Sequence, residues 1–337
     1  MSDQVAPFTP VPITDPYDYV DLVHHHDGTI TRKKPSNFPT VPTVPDLSYP
    51  APVLSKDIPI NQSNNTWARV YISRYKLESN STNDLLPLIV YYPGGGFVIS
   101  TTATPTCYNF CSKLALQLSA VVVSIDYRVG PEHLLPAAYD DAVEALNWIK
   151  FAEDSWLRDH ANLSNCFIMG CSAGGNIAYH VGLRVAMEDV DSFKPLKING
   201  LILHYPFFGG HERTESELRM ANDLILPLIA TDVMWKYSLP AGANRDHEYS
   251  NPAVVDRSKL FDKIKMLGWK ILMSTGDKDP GIDRQIGLLT TMKEKGVKVK
   301  GRIVEGDHHG EELLNNSHKL DSLLVALKDF IFSTFSE

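Results

Sequence analysis

Cys166-Phe167-Ile168-Met169-Gly170-Cys171-Ser172-Ala173-Gly174-Gly175-Asn176 is the stretch that decides the reading of this chain. Cys166–Met169 is a short apolar run of the kind expected for a strand buried on both faces of a sheet. Apolar residues at helical spacing follow over Asn176–Met187. A Gly-x-Ser-x-Gly set between a strand and a helix predicts a nucleophile elbow, a turn tight enough to raise the Ser172 hydroxyl above the sheet. Gly170 and Gly174 suit such a turn, because side chains there would collide with neighbouring backbone.

A serine hydroxyl is a weak nucleophile at neutral pH and needs a base. In one known chain order the acid and then the histidine follow the serine. Asp277, Asp279 and Asp283 come after the expected strand Ile271–Ser274, and Glu305-Gly306-Asp307-His308-His309-Gly310 comes after the expected strand Lys298–Ile303. His308 and His309 are therefore both candidates for the base. An oxyanion also needs backbone N–H donors aimed at it. Pro93-Gly94-Gly95-Gly96-Phe97 follows the expected strand Leu88–Tyr92, and its glycines let amides approach a ligand without side-chain obstruction. The loop lacks the Gly-Lys-Ser/Thr ending of a phosphate-binding loop.

Further out, the same rhythm repeats. Ala68–Arg74 alternates like a half-buried strand, and Ala120–Ile125 and Leu201–His204 are apolar runs. Pro136–Lys150, Gln285–Lys295 and Asn316–Phe335 carry helical spacing. Strands alternating with helices predict an α/β fold, a mostly parallel central sheet flanked by helices. Residues 209–255 interrupt the rhythm as an insertion, and residues 1–60 are rich in proline and turn signals. The nucleophile, base, acid and glycine loop must meet at one site, so residues 1–337 are expected to form a single domain. His24-His25-His26-Asp27-Gly28-Thr29 reads as a hairpin with Asp-Gly at its turn. Consecutive histidines in an extended segment alternate sides and converge poorly on an ion, so no metal site is expected.

Of 337 residues, 32 are Lys or Arg and 40 are Asp or Glu, a formal net charge of −8. That balance argues against nucleic acid, which selects a clustered basic footprint, and against anionic membranes. A hydrophobic content of 43% excludes intrinsic disorder. The four cysteines make no disulfide framework and are expected to be buried free thiols. The N-terminus lacks the apolar core of a secretory signal, so a cytoplasmic protein is expected. No cofactor is called for. The expected partner is a small-molecule substrate, and oligomeric state is not legible.

Four ordered motifs resemble those of plant carboxylesterases, in the hormone-sensitive-lipase branch of the α/β-hydrolases. They are Tyr91-Tyr92-Pro93-Gly94-Gly95-Gly96-Phe97, Ser124-Ile125-Asp126-Tyr127-Arg128-Val129-Gly130-Pro131-Glu132-His133, Pro136-Ala137-Ala138-Tyr139-Asp140-Asp141 and Gly170-Cys171-Ser172-Ala173-Gly174-Gly175-Asn176. The resemblance runs from about residue 20 to 335. It implies the α/β-hydrolase fold, with a cap built from approximately residues 1–60 and 209–255. It implies hydrolysis of small apolar carboxylic esters through an acyl-enzyme, with Ser172 as nucleophile. The family's acid sits in an Asp-Pro context, which points to Asp279, and its histidine lies three residues after a glycine, which points from Gly306 to His309. His308 stays as the alternative. By the same carry-over the amides of Gly94, Gly95 and Ala173 form the oxyanion hole, while Asp126, Tyr127 and Arg128 brace the surrounding loops. Phe97, His204, Phe207, Phe208 and Trp235 are candidate pocket walls.

The chain also departs from the pattern. Pro93 replaces a histidine before the glycines, removing a backbone N–H. Cys171 replaces a glutamate before the serine. Gly310-Glu311-Glu312 follows His309 where the family has an apolar residue, and Glu305 and Asp307 add to the acidic charge around it. Nearby acidic charge favours a protonated histidine. Pro93 and Cys171 motivate an alternative, since relatives act as cyclases, dehydratases or lyases in plant specialised metabolism and a positioned base can run those reactions without an acyl-enzyme. A hormone-binding branch that resembles the family lacks the histidine, and this chain has two at that place.

Overall fold

The computed structural model describes residues 15–34, 36–79, 84–99, 101–189, 191–314 and 317–332. Its centre is an eight-stranded sheet built from β3 (Val53–Asn61), β4 (Thr66–Ser73), β5 (Leu86–Tyr92), β6 (Val121–Asp126), β7 (Ala161–Cys171), β8 (Ile198–His204), β9 (Lys270–Gly276) and β10 (Lys298–Val304). The strand order is β10-β9-β8-β7-β5-β6-β4-β3. Pairs from β10 through to β6 are parallel, and β4 runs antiparallel to both β6 and β3. This is the mostly parallel α/β sheet of an α/β-hydrolase fold. β1 (Leu22–His24) and β2 (Ile30–Arg32) form a separate hairpin, with His25 N–H donating to Thr29 O at 2.9 Å and Gly28 at φ 83°.

Each face of the sheet carries a core. One packs the helices Ala137–Phe151, Ala173–Met187 and Ser258–Met266 through residues such as Leu146, Ile177 and Ile264. The other packs Pro105–Gln117 and Ser317–Phe332 through Phe110, Leu114, Leu323 and Leu327. The central strands have apolar layers on both sides, which is why they read as continuous apolar runs rather than alternating ones.

One expectation is corrected. Residues 53–60 belong to the sheet rather than the cap, since β3 is its antiparallel edge strand. An edge strand tolerates Pro59 and a half-polar pattern, which hid it from a search for apolar runs. The helix Pro105–Gln117 buries Cys107 and Cys111 one turn apart; Pro105 opens it and Thr104 Oγ1 accepts the Cys107 N–H. Residues 1–14 of the expected cap, and 316 and 333–335 of the expected last helix, lie outside the described residues. The insertion holds two short α-helices, Glu215–Arg219 and Leu228–Lys236, and one 3₁₀ turn, Pro252–Val254. Among the described residues no helix is long and apolar enough to cross a membrane.

Candidate active site

Strand ends position the site. Ser172 directly follows β7, Asp279 follows β9, the His308-His309 pair follows β10, and the glycine loop follows β5. All four lie at the carboxyl ends of parallel strands, where open α/β sheets place their ligand crevice.

Ser172 holds φ 55° and ψ −119°, a strained backbone for a residue with a Cβ. The surroundings enforce it. A Cβ on Gly170 would stand 1.9 Å from Gly174 O, and a Cβ on Gly174 would stand 1.8 Å from Tyr92 O. Ser172 N–H donates to His204 O at 2.9 Å, tying the elbow to β8.

The Ser172 hydroxyl lies 2.9 Å from His309 Nε2, and His309 Nδ1 lies 2.9 Å from Asp279 Oδ2. Asp279 is fully buried. Its Oδ1 accepts the Gly281 N–H at 2.8 Å and its Oδ2 accepts Gln285 Nε2 at 2.9 Å. Burial pushes this carboxyl upward, but the His309 charge and the donors from His309, Gln285 and Gly281 hold it below its ordinary value. An ionised Asp279 keeps the proton on His309 Nδ1 and leaves Nε2 to accept the Ser172 O–H. His308 faces away: its Nδ1 lies 2.7 Å from Asp223 Oδ2 in the insertion.

Ser172, His309, Gly94 and Gly95 line a cavity of about 540 Å³ with Tyr19, Ile225, Leu226 and Met234. Among the described residues no hydrogen bond uses the N–H of Gly94 or Gly95. Ala173 is the first residue of the helix that follows the elbow, so its N–H precedes the first intrahelical bond. The loop is held from behind. Tyr127 donates its hydroxyl to Pro93 O at 2.7 Å, Gly130 N–H donates to Phe97 O at 2.8 Å, and Arg32 of β2 donates to Val98 O at 2.7 Å. Arg128 pairs with Asp141 at 2.6 Å, and Asp126 accepts the Thr102 N–H at 2.9 Å.

The expected wall residues divide. Phe207, Phe208 and Trp235 line a small pocket of about 20 Å³ beside Asp279 and His309. Phe97 and His204 do not reach the cavity. Phe97 is buried against Tyr139 and Trp235 at ring distances of 6.1 and 5.7 Å. His204 is fully buried behind the elbow, 3.5 Å from Glu312, and burial keeps its ring well below the ordinary histidine range. Tyr19, Ile225, Leu226 and Met234 were missed. They sit in the cap segments, where no periodicity marks which side chain turns inward.

The acidic cluster around His309 is largely paired. Lys319 bridges Asp307 and Glu311, and Arg302 meets Glu312 at 2.8 Å. Glu305 is exposed. All four cysteines are buried and free, and burial pushes the Cys171 thiol well up. Among the described residues no group of three or more His, Cys, Asp or Glu is placed to hold a metal ion.

Comparison with known proteins agrees with the fold. Residues 89–313 match a family described as alpha/beta hydrolase fold. The chain is 50% identical to carboxylesterase 20 of Arabidopsis thaliana over 325 residues, covering 96% of this chain and 98% of that one. It is 42% identical to 3-O-acetylpapaveroxine carboxylesterase CXE2 of Papaver somniferum over 327 residues, covering 95% of this chain and 100% of that one. Among solved structures it resembles an esterase from Pyrobaculum calidifontis, with a TM-score of 0.68 and 26% identity over 83% of this chain and 84% of that one.

Proposed function

From the premise that this chain belongs to the plant carboxylesterase family of the alpha/beta hydrolase fold, and is a carboxylic ester hydrolase, we propose the roles of its residues. Ser172 attacks the ester carbonyl while His309 Nε2 takes the hydroxyl proton. Asp279 holds the histidine tautomer and stabilises the imidazolium. The amides of Gly94, Gly95 and Ala173 receive the oxyanion. His309 then protonates the leaving alcohol, and water, activated by the same ring, releases the acid and regenerates the serine. The observation that carries this reading is the 2.9 Å approach of His309 Nε2 to Ser172 Oγ, with Asp279 at 2.9 Å behind it.

The substrate reading is a small, largely apolar ester. The about 540 Å³ cavity beside Ser172, with Ile225, Leu226 and Met234 in its wall, supports it. The poppy relative's name specifies an O-acetyl ester, which supports a short acyl group and a place in plant specialised metabolism. We read the chain as one domain whose cap combines described residues between 15 and 52 with residues 209–255, and as a cytoplasmic protein acting on a free small molecule.

The test is Ser172→Ala against a short-chain aryl ester, together with labelling by a serine-directed phosphonate. Hydrolysis is expected to fall to background and the label to be lost with the hydroxyl. Undiminished turnover in the variant overturns the assignment. Labelling of Ser172 in an enzyme that hydrolyses no ester, but forms an elimination or cyclisation product, favours the alternative chemistry.

A further inference from the structure

One carboxylate joins the insertion to the loop that carries His309. Asp223 lies between the helices Glu215–Arg219 and Leu228–Lys236, and its side chain is only 2% exposed. Its Oδ1 accepts the N–H groups of Ile225 at 2.9 Å and Leu226 at 2.7 Å. Its Oδ2 is 2.7 Å from His308 Nδ1. The backbone N–H of His308 is in turn held by Glu311 Oε2 at 2.9 Å. Ile225 O also receives the Tyr19 hydroxyl from the N-terminal segment.

The groups fixed this way face substrate. Ile225 and Leu226 line the cavity that holds Ser172, and Leu226 also lines the small pocket beside Asp279 and His309. The wall therefore depends on a turn that Asp223 closes, and the turn is anchored to the neighbour of the base. A surface ion pair would contribute little. A buried carboxylate that gathers two amides and a ring nitrogen is different, because losing one partner leaves the others unpaired.

We propose that Asp223 is a positioning and specificity-determining residue: clamped by His308, it fixes the Ile225–Leu226 wall against the catalytic loop and sets how much bulk an ester can carry beside Ser172. The proposal rests on the reading of Ser172 and His309 as nucleophile and base. It gives the second histidine of the pair a task distinct from proton transfer.

The experiment measures kcat and KM for two acetate esters, one of a compact phenol and one of a bulky polycyclic phenol. The wild type is compared with Asp223→Ala, Asp223→Asn, His308→Gln and the double variant Asp223→Ala/His308→Gln. Active enzyme is counted by phosphonate titration in each case. The compact-to-bulky ratio of kcat/KM is expected to fall about tenfold in Asp223→Ala and in His308→Gln, the scale of a small change in an apolar pocket, mainly through KM. The double variant is expected to match the single ones within about twofold, since both break one clamp. A ratio that falls less than threefold, or rises, in folded variants overturns the proposal, and so do independent effects that multiply. If Asp223→Ala fails to fold, Asp223→Asn and His308→Gln carry the same comparison. A wild type that takes no phosphonate fails the nucleophile reading instead, a result distinct from an unchanged ratio.

Discussion

Gln285 and His309 share one oxygen of Asp279: Gln285 Nε2 approaches Oδ2 at 2.9 Å, and so does His309 Nδ1. The carboxylate is thus held in place whether or not the ring is charged, because an uncharged amide keeps part of the grip. Gln285 is itself fixed, donating to Pro206 O at 3.2 Å. The helix Ile282–Glu294 in this way contributes to the geometry of a site that it does not line with a charged group.

Acid sensitivity follows from the lowered Asp279. A carboxyl depressed in the folded state adds stability above its unfolded value of about 4, and that contribution is lost as pH falls through the folded value. Asp279→Asn should therefore be less stable than wild type near neutral pH, with the gap closing below about pH 4. Thermal melts from pH 3 to 7 check this, and a gap that widens toward acid contradicts it. The same variant is expected to lose about 10⁴-fold in kcat, the effect of presenting the wrong histidine tautomer.

Two glycines, one in the elbow and one in a helix, are expected to respond in opposite ways. Gly174→Ala places a methyl 1.8 Å from Tyr92 O, a clash with backbone that cannot move aside. A loss above about 4 kcal/mol, or insoluble protein, is expected. Gly287 sits inside the helix Ile282–Glu294 with open space where a Cβ would go. Gly287→Ala should stabilise by roughly 0.4–1 kcal/mol. Denaturant titration of both variants measures the contrast.

Tyr127→Phe tests the support behind the glycine loop. It removes the hydroxyl that donates to Pro93 O and leaves that carbonyl short of a donor at a buried position. A stability loss of about 1–3 kcal/mol is expected. A fall in kcat larger than any rise in KM should accompany it if the amide of Gly94, which follows Pro93 directly, serves the oxyanion as proposed.

Lys319 tests the acidic cluster. It is the cation on the fully buried Asp307 carboxylate and also pairs with Glu311. Lys319→Met leaves the Asp307 carboxylate with the Tyr205 hydroxyl at 3.3 Å but without its cation, and should cost about 3–5 kcal/mol. Adding Asp307→Asn should restore part of that loss. Urea titration of the single and double variants measures both effects.

The sequence made the centre of the molecule legible for a physical reason. Val121–Val123 and Ile168–Met169 are buried on both faces, so their composition alone marks them as central strands. Gly170 and Gly174 mark the elbow because no other residue fits. The edge was harder to read: Val53–Asn61 is half exposed and contains Pro59, so its pattern resembles a loop. Cavity walls were harder still. Phe97 and Phe207 look alike as letters two strands apart in the sheet, yet one is core and the other lines a pocket, and only tertiary contacts separate them. His308 and His309 are alike in type, and only the family's spacing from Gly306 pointed to His309. Their difference comes from Asp223, 85 residues earlier, on a segment without periodicity.

The base lies 137 residues after the nucleophile, on the loop behind the edge strand β10. During synthesis, therefore, the elbow emerges long before anything exists to activate it. A nascent or truncated chain with its central strands in place carries only an ordinary alcohol at Ser172, inert toward esters around the ribosome. Competence requires β9 and β10 in the sheet, because the loops after them carry Asp279 and His309. Onset of hydrolysis in a refolding reaction thus reports a sheet assembled from the elbow strand β7 out to β10, which secondary-structure content alone does not report.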